Sequence, residues 1–190
     1  MDDTLALLEQ TGAILDGHFL LSSGLHSPRY VQCALVLQYP DKAAWLGERL
    51  AERFRSSEVQ AVMAPAIGGI LVAHEVARAL GVRAIFAERR QGQMQLRRGF
   101  TLAPGERVVI VEDVVTTGES LNEVIQIAHD QGATVVGVGA LLNRGQRGPF
   151  PFGLSLQALV TLEIPVYQPT ECPFCQQGLP FTAPGTRRAA

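Results

Sequence analysis

The chain has 190 residues, 47% hydrophobic and 18% charged, with a formal charge of −2. That length holds one domain, or one with a small appendage, and is enough to bury a real core. The near-neutral balance argues against nucleic-acid binding as the main business, and the apolar runs are far too short to span a bilayer.

In chain order, residues 2–10 read as a short amphipathic helix, with Leu5, Leu7 and Leu8 apolar. The opening Met1-Asp2-Asp3-Thr4 is acidic where a signal peptide would be basic, so the expectation is a cytoplasmic protein. Residues 12–21 fit a strand or extended segment. Ser22-Ser23-Gly24-Leu25-His26-Ser27-Pro28-Arg29-Tyr30 predicts an irregular loop, with Pro28 fixing its exit. Its hydroxyls, Gly24, His26, Arg29 and Tyr30 can bind a planar anion; a plain surface loop is the bland reading. Residues 41–55 have a helical period. Residues 59–63 form a buried strand that closes in Ala64-Pro65-Ala66-Ile67-Gly68-Gly69, and residues 70–80 form the next helix, ended by Gly81. A strand, a Gly-Gly turn and a helix make an anion-friendly nest, or else a tight turn for packing.

Residues 82–87 are a short strand. It leads into Glu88–Phe100, a polar stretch holding Arg89, Arg90, Arg97 and Arg98. No clean period runs through it, so it reads as a long flexible loop or hairpin; such loops are often lids, and a solvated basic surface is the alternative. Lys42 is the only lysine, so any cationic role beside a phosphate falls to arginine.

The most informative stretch follows. Val108 to Val111 are four β-branched apolar residues, suited to a strand buried on both faces. Glu112 and Asp113 come next, then Val114, Val115, Thr116, Thr117, Gly118, Glu119 and Ser120, and then a helical pattern over residues 121–131. A helix start offers unpaired N–H groups and a positive dipole end, which suit a phosphate. Two acids beside a phosphate site are compatible if the ligand is long, with hydroxyls meeting the acids and the phosphate meeting the helix. A sugar phosphate meets that demand. An ordinary crossover capped by Ser or Thr is the competing reading.

Residues 133–142 are a clear buried strand, ending at Asn143-Arg144-Gly145. Arg144 thus stands at a strand's carboxyl end, where a guanidinium fork can pair with a planar carboxylate. Residues 154–162 offer a last or edge strand, and residues 165–190 an irregular tail. Cys172-Pro173-Phe174-Cys175 supplies only half of a four-ligand zinc site, and His18, His26, His74 and His129 are scattered. The pair therefore reads as a structural turn, with no metal expected in the chain itself; a metal shared between subunits is the alternative.

The stretch from Val108 to Ser120 resembles the phosphoribosyl-diphosphate motif of the type I phosphoribosyltransferases. The early Ser-Gly loop with Ser-Pro and an aromatic, together with Arg144, resembles the orotate phosphoribosyltransferases. The resemblance implies an α/β fold: a five-stranded parallel sheet flanked by helices, in one domain over residues 1–190, with a hood from residues 1–40 plus the tail. It implies that Glu112 and Asp113 hold the ribose hydroxyls, that residues 114–120 cradle the 5′-phosphate, and that Gly68 and Gly69 meet the pyrophosphate. Orotate would be met by Ser23, Gly24, Tyr30, Thr116 and Arg144. Arg89 and Arg90 would stand in for the family's catalytic lysine, on a loop shared across a homodimer. Mg2+ is the implied cofactor, and orotidine 5′-phosphate, on the way to UMP, the implied product. The chain departs from the pattern at Ser22, where a lysine is usual, at Ile67-Gly68, where an aromatic–lysine pair is usual, and in lacking the loop histidine. Purine or uracil transfer, or a non-catalytic sensor of phosphoribosyl diphosphate, are the alternatives; a sensor would need an added nucleic-acid-binding domain or basic face.

Overall fold

The four β-branched residues 108–111 lie at the centre of β6 (Arg107–Val115), and all four are fully buried. The structure, a computed structural model, describes residues 3–21, 23–145, 150 and 153–184. Ser22, most of the turn after Gly145 and the end of the tail, all of which carry expectations from sequence, lie outside the described residues.

Strand β6 pairs in parallel with β3 (Ala61–Pro65) on one side and β7 (Thr134–Asn143) on the other. The full sheet runs β5-β4-β3-β6-β7-β8, with β4 (Arg83–Arg90), β5 (Gln93–Leu96) and β8 (Leu156–Thr161) completing it. Five strands are parallel, as expected. The sixth, β5, is antiparallel to β4 and is built from the Arg-rich stretch, which is thus a hairpin. Helices cover both faces. Val62, Ala64, Val109 and Val111 share a cluster with α3 (Pro40–Ala51) and α4 (Gly69–Leu80). Ala61, Met63, Val108 and Ile110 share the other with α5 (Glu119–Asp130). The period-2 alternation of a strand sorts neighbours to opposite faces, and burial on both explains the unbroken apolar run.

α1 (Asp3–Gln10) contributes Leu8, and the following segment Ala13 and Ile14, to the same cluster as α3 and α4. Next comes an antiparallel hairpin of β1 (Ile14–Leu20) and β2 (His26–Val31). This corrects the expected loop over residues 22–30: only its first residues turn, and the rest is strand. Pro28 is tolerated because β2 has no strand partner beyond β1 in the sheet order. A one-turn helix, α2 (Ala34–Leu37), precedes α3 and is not legible in the sequence, being too short to show a period. Residues 52–55, expected as the end of the 41–55 helix, instead begin a 3-10 turn (Glu52–Ser57) closed by Glu58 in the left-handed region. In the tail, α6 (Pro173–Gln176) holds the Cys-x-x-Cys turn. Among the described residues no helix is long and apolar enough to cross a membrane.

Candidate active site

Parallel strands with crossovers on both faces leave a crevice where successive strands run to opposite sides of the sheet. Here that point lies between β3, which leads to β4, and β6, which leads to β7. Two residues meet there. A side-chain carbon added at Gly68 would lie 2.5 Å from the Asp113 carboxylate. Glycine at 68 is therefore what lets the β3–α4 turn close onto the acid. Gly69 plays a different part. It is buried, and a carbon there would lie 2.9 Å from Ala64 Cβ, so it serves the packing of α4 on its own strand. The peptide between Ala66 and Ile67 in this turn is cis.

A cleft of about 540 Å3 opens at this point, with Tyr30, Gln32, Ile67, Gly68, Leu71 and Asp113 in its wall. A second, of about 620 Å3, is lined by Leu21, Ser23, Leu25, Thr116, Thr117 and Arg144. The segment from Asp113 to Thr117 contributes to both walls. The two acids at its start are electrostatically unusual. Burial, and then the charge of Asp113, push the Glu112 carboxyl up to about 8. Burial also raises Asp113, but the N–H groups of Asp113 and Val114 work against the rise by stabilising its carboxylate. Among the described residues no cation offsets either acid, so each would gain from a partner that supplies hydroxyl donors or positive charge.

After the acids, Val114 is half-buried and Val115 fully buried, which anchors the loop. Thr116 and Thr117 are exposed. Gly118 takes φ 78° at the N-cap of α5, a conformation that strains any side chain. Gly118 has no side chain with which to cap the helix, and Thr117 Oγ1 accepts only a long bond of 3.4 Å from the Glu119 N–H. The first turn, with Glu119 and Ser120, thus keeps N–H groups available for an anion.

Arg144 is held from two sides. Its backbone N–H donates to Val115 O at 2.7 Å, and its guanidinium donates to Ser27 Oγ at 3.1 Å. Half-burial lowers its pKa from the usual value, while Tyr30 acts in the opposite direction. Ser27, buried in β2, is a site residue that sequence reasoning misses; it donates to Arg29 O at 2.8 Å and so fixes the acceptor that Arg144 uses. Its one sequence signal is the Ser-Pro pair. The tail residues Pro165 and Val166, also in the second wall, carry no sequence signal.

Other anticipated residues fall elsewhere. Gly24 turns the hairpin at φ 80°, with its N–H on Leu21 O, next to Ser23. His26 does not face the cleft: it is buried on the far side of the hairpin, beside His18. Arg89 and Arg90 line neither cleft. Arg89 pairs with Glu123 of α5 at 2.8 Å, while Arg97 and Arg98 both pair with Glu88. Arg90 is exposed and makes no ion pair among the described residues.

Comparison with known proteins gives the family. A family model described as the phosphoribosyl transferase domain matches residues 38–152. An orotate phosphoribosyltransferase of Pelotomaculum thermopropionicum is 52% identical over 187 residues, covering 98% of both chains. One from Thermotoga maritima is 49% identical over 181 residues, covering 95% of this chain and 96% of the other. The crystal structure of orotate phosphoribosyltransferase from Aeropyrum pernix superposes with a TM-score of 0.71 at 29% identity, over 83% of this chain and 92% of that one. The chain belongs to the phosphoribosyltransferase family, and within it to the orotate phosphoribosyltransferases.

Proposed function

We propose that this chain transfers the phosphoribosyl group of 5-phosphoribosyl 1-diphosphate to a ring nitrogen of orotate, giving orotidine 5′-phosphate and pyrophosphate. One observation carries the reading: the end of β6 and the short loop after it, residues 113–118, join a largely buried acid to a helix start without a side-chain cap, with Arg144 bonded to Val115 O in the same stretch. In this arrangement Glu112 and Asp113 accept hydrogen bonds from the ribose 2′ and 3′ hydroxyls. Thr116, Thr117 and the N–H groups of Gly118, Glu119 and Ser120 take the 5′-phosphate. Gly68 and Gly69 offer N–H groups to the diphosphate. Arg144, with Thr116, Ser23, Gly24 and Tyr30, holds orotate, the guanidinium meeting its carboxylate.

Bond cleavage at the anomeric carbon builds positive charge on the sugar. The base needs orientation more than activation, so positioning and charge stabilisation carry the rate. Asp113, kept close to the sugar, is placed to favour that charge. Mg2+ fits the acids, which are hard oxygen donors without a cation partner, and not the nitrogen- and sulfur-bearing cluster beside His26. Asp113 and Glu112 would hold it through water and substrate oxygens, and it would supply charge neutralisation at the diphosphate.

The hairpin arginines belong to the same reading. An exposed pair such as Arg89–Glu123 contributes no more than about 1 kcal/mol, so Arg89 can exchange it for a diphosphate, and Arg90 makes no ion pair among the described residues. Since neither lines its own chain's clefts, we place them at the site of a second copy in a homodimer. Residues 1–190 would act as one domain, with the hood and tail closing over the base.

The test is a base panel. With Mg2+ and 5-phosphoribosyl 1-diphosphate, the purified chain should consume orotate and leave adenine, hypoxanthine and uracil untouched. Turnover of one of those bases without orotate would overturn the assignment.

A further inference from the structure

Four side chains far apart in sequence gather outside the active site. His18 on β1, His26 on β2, and Cys172 and Cys175 around α6 bring their ligand atoms within 4.8 Å of one another. His18 Nε2 is 2.8 Å from His26 Nδ1 and 3.4 Å from Cys172 Sγ; Cys175 Sγ is 3.2 Å from His26 Nδ1 and 3.7 Å from His18 Nε2. Both cysteines are free thiols. From sequence the Cys-x-x-Cys turn offers half of a four-ligand set; in the fold the hairpin brings two imidazoles beside it.

We propose that these residues form a structural zinc site, His18 Nε2, His26 Nδ1, Cys172 Sγ and Cys175 Sγ binding one Zn2+ in a tetrahedron. Four features support it. Bond lengths of about 2.0–2.1 Å to nitrogen and 2.3 Å to sulfur place tetrahedral ligands roughly 3.3–3.8 Å apart. The nitrogen–sulfur separations of 3.2, 3.4 and 3.7 Å fall near that range, and the two imidazole nitrogens, hydrogen-bonded at 2.8 Å without the ion, would part by about 0.5 Å to admit it. His18 Nδ1 lies 2.9 Å from Leu179 O, and donating there leaves Nε2 as a lone pair aimed into the cluster. The two imidazoles and two thiols are the soft-to-borderline set that selects zinc, and two thiolates cancel the charge of the dication, which suits a buried position. His18, His26 and Cys172 are all under 8% exposed.

The surroundings complete the shell. Phe174 stacks on His18 at 5.4 Å, and Phe181 lies 5.2 Å from His26, so the imidazoles are flanked by rings while Cys175 stays partly open. Binding is a plain exchange: the ion enters, the two thiols give up their protons to solvent, and nothing is oxidised.

The ion explains how the tail is fixed. Its large apolar residues are poorly covered, with Val166, Leu179 and Phe181 each between 46% and 49% exposed. Backbone bonds tie it at two places, Tyr167 to His26 and Thr182 to both His18 and Leu20. A zinc between these ties would staple tail to hairpin. The stapled hairpin carries Ser23 and Leu25, and the stapled tail Pro165 and Val166, all four in the wall of the Arg144 cleft. The effect on orotate rests on the proposed function; the metal content does not.

The test uses tag-free full-length chain. Mass spectrometry of the purified protein should find roughly one zinc per chain. After chelator stripping, Co2+ should restore the stoichiometry and give the intense visible bands of a tetrahedral site with two thiolates. His26→Ala should lose the ion and His26→Cys should keep it, which a role in hydrogen bonding alone would not produce. If the reaction is as proposed, stripping should raise the KM for orotate several-fold more than that for 5-phosphoribosyl 1-diphosphate. Wild-type chain that neither contains zinc nor takes up Zn2+ or Co2+ after stripping would overturn the proposal, whatever the variants do.

Discussion

Glu112 is the residue at which fold and function pull hardest against each other. Its strand is buried because the sheet core needs it, yet in the proposed function its carboxyl meets a sugar. Burial and Asp113 leave it with a pKa of about 8 against an ordinary 4.5. Above pH 4.5 the unfolded chain has released this proton while the ligand-free folded protein still holds it. Stability contributed by the neutral acid is therefore full below 4.5 and is lost as pH rises toward 8, by at most about 1.4 kcal/mol per unit and less where solvent screens the group. Glu112→Gln keeps the shape of the neutral acid and removes the loss. Its melting temperature should match wild type near pH ~4.5 and exceed it by several degrees near pH ~8.5. Parallel curves over that range would show that Glu112 titrates normally. The acid is legible in the sequence because it follows four buried strand residues; its neutrality is not, because that depends on what covers it.

At the scale of elements, the approach of α4 to the end of β6 sets the crevice. Gly68 is the point of closest contact, 2.5 Å from Asp113 once a side-chain carbon is added. Gly68→Ala must push either the turn or the acid aside. Displacing Asp113 from the sugar misplaces a binding group, so kcat/KM for 5-phosphoribosyl 1-diphosphate should fall by roughly tenfold or more. An unchanged kcat/KM would mean that this turn can retreat from Asp113 without disturbing substrate. Sequence shows the Gly-Gly turn and offers two roles for it; the structure divides them, Gly68 facing Asp113 and Gly69 packing on Ala64. Strands and long helices are legible wherever the apolar period is sustained, as over β6, α4 and β7. The strand β2 is not, because Ser27, Pro28 and Arg29 read as turn residues and only pairing with β1 makes them extended. The Arg-rich stretch lacks a period for a related reason: β5 is a four-residue edge strand.

For the whole molecule, the features least visible in sequence are those joining its ends. His18 and Cys172 stand 154 positions apart, and no local pattern links them. The same holds for Ser27 and Arg144, separated by 117 positions and joined by one hydrogen bond. Long-range closure brings the hood hairpin and the tail against the carboxyl edge of the sheet, and with them the second wall of the cleft. The central claim is that one loop, running from the acids to the start of α5, grips the sugar phosphate. A crystal structure of the chain with 5-phosphoribosyl 1-diphosphate tests it most directly. The account predicts the 5′-phosphate on the N–H groups of residues 117–120 and the ribose hydroxyls on Glu112 and Asp113. A ligand bound away from that loop, or a ribose turned from both acids, would contradict it.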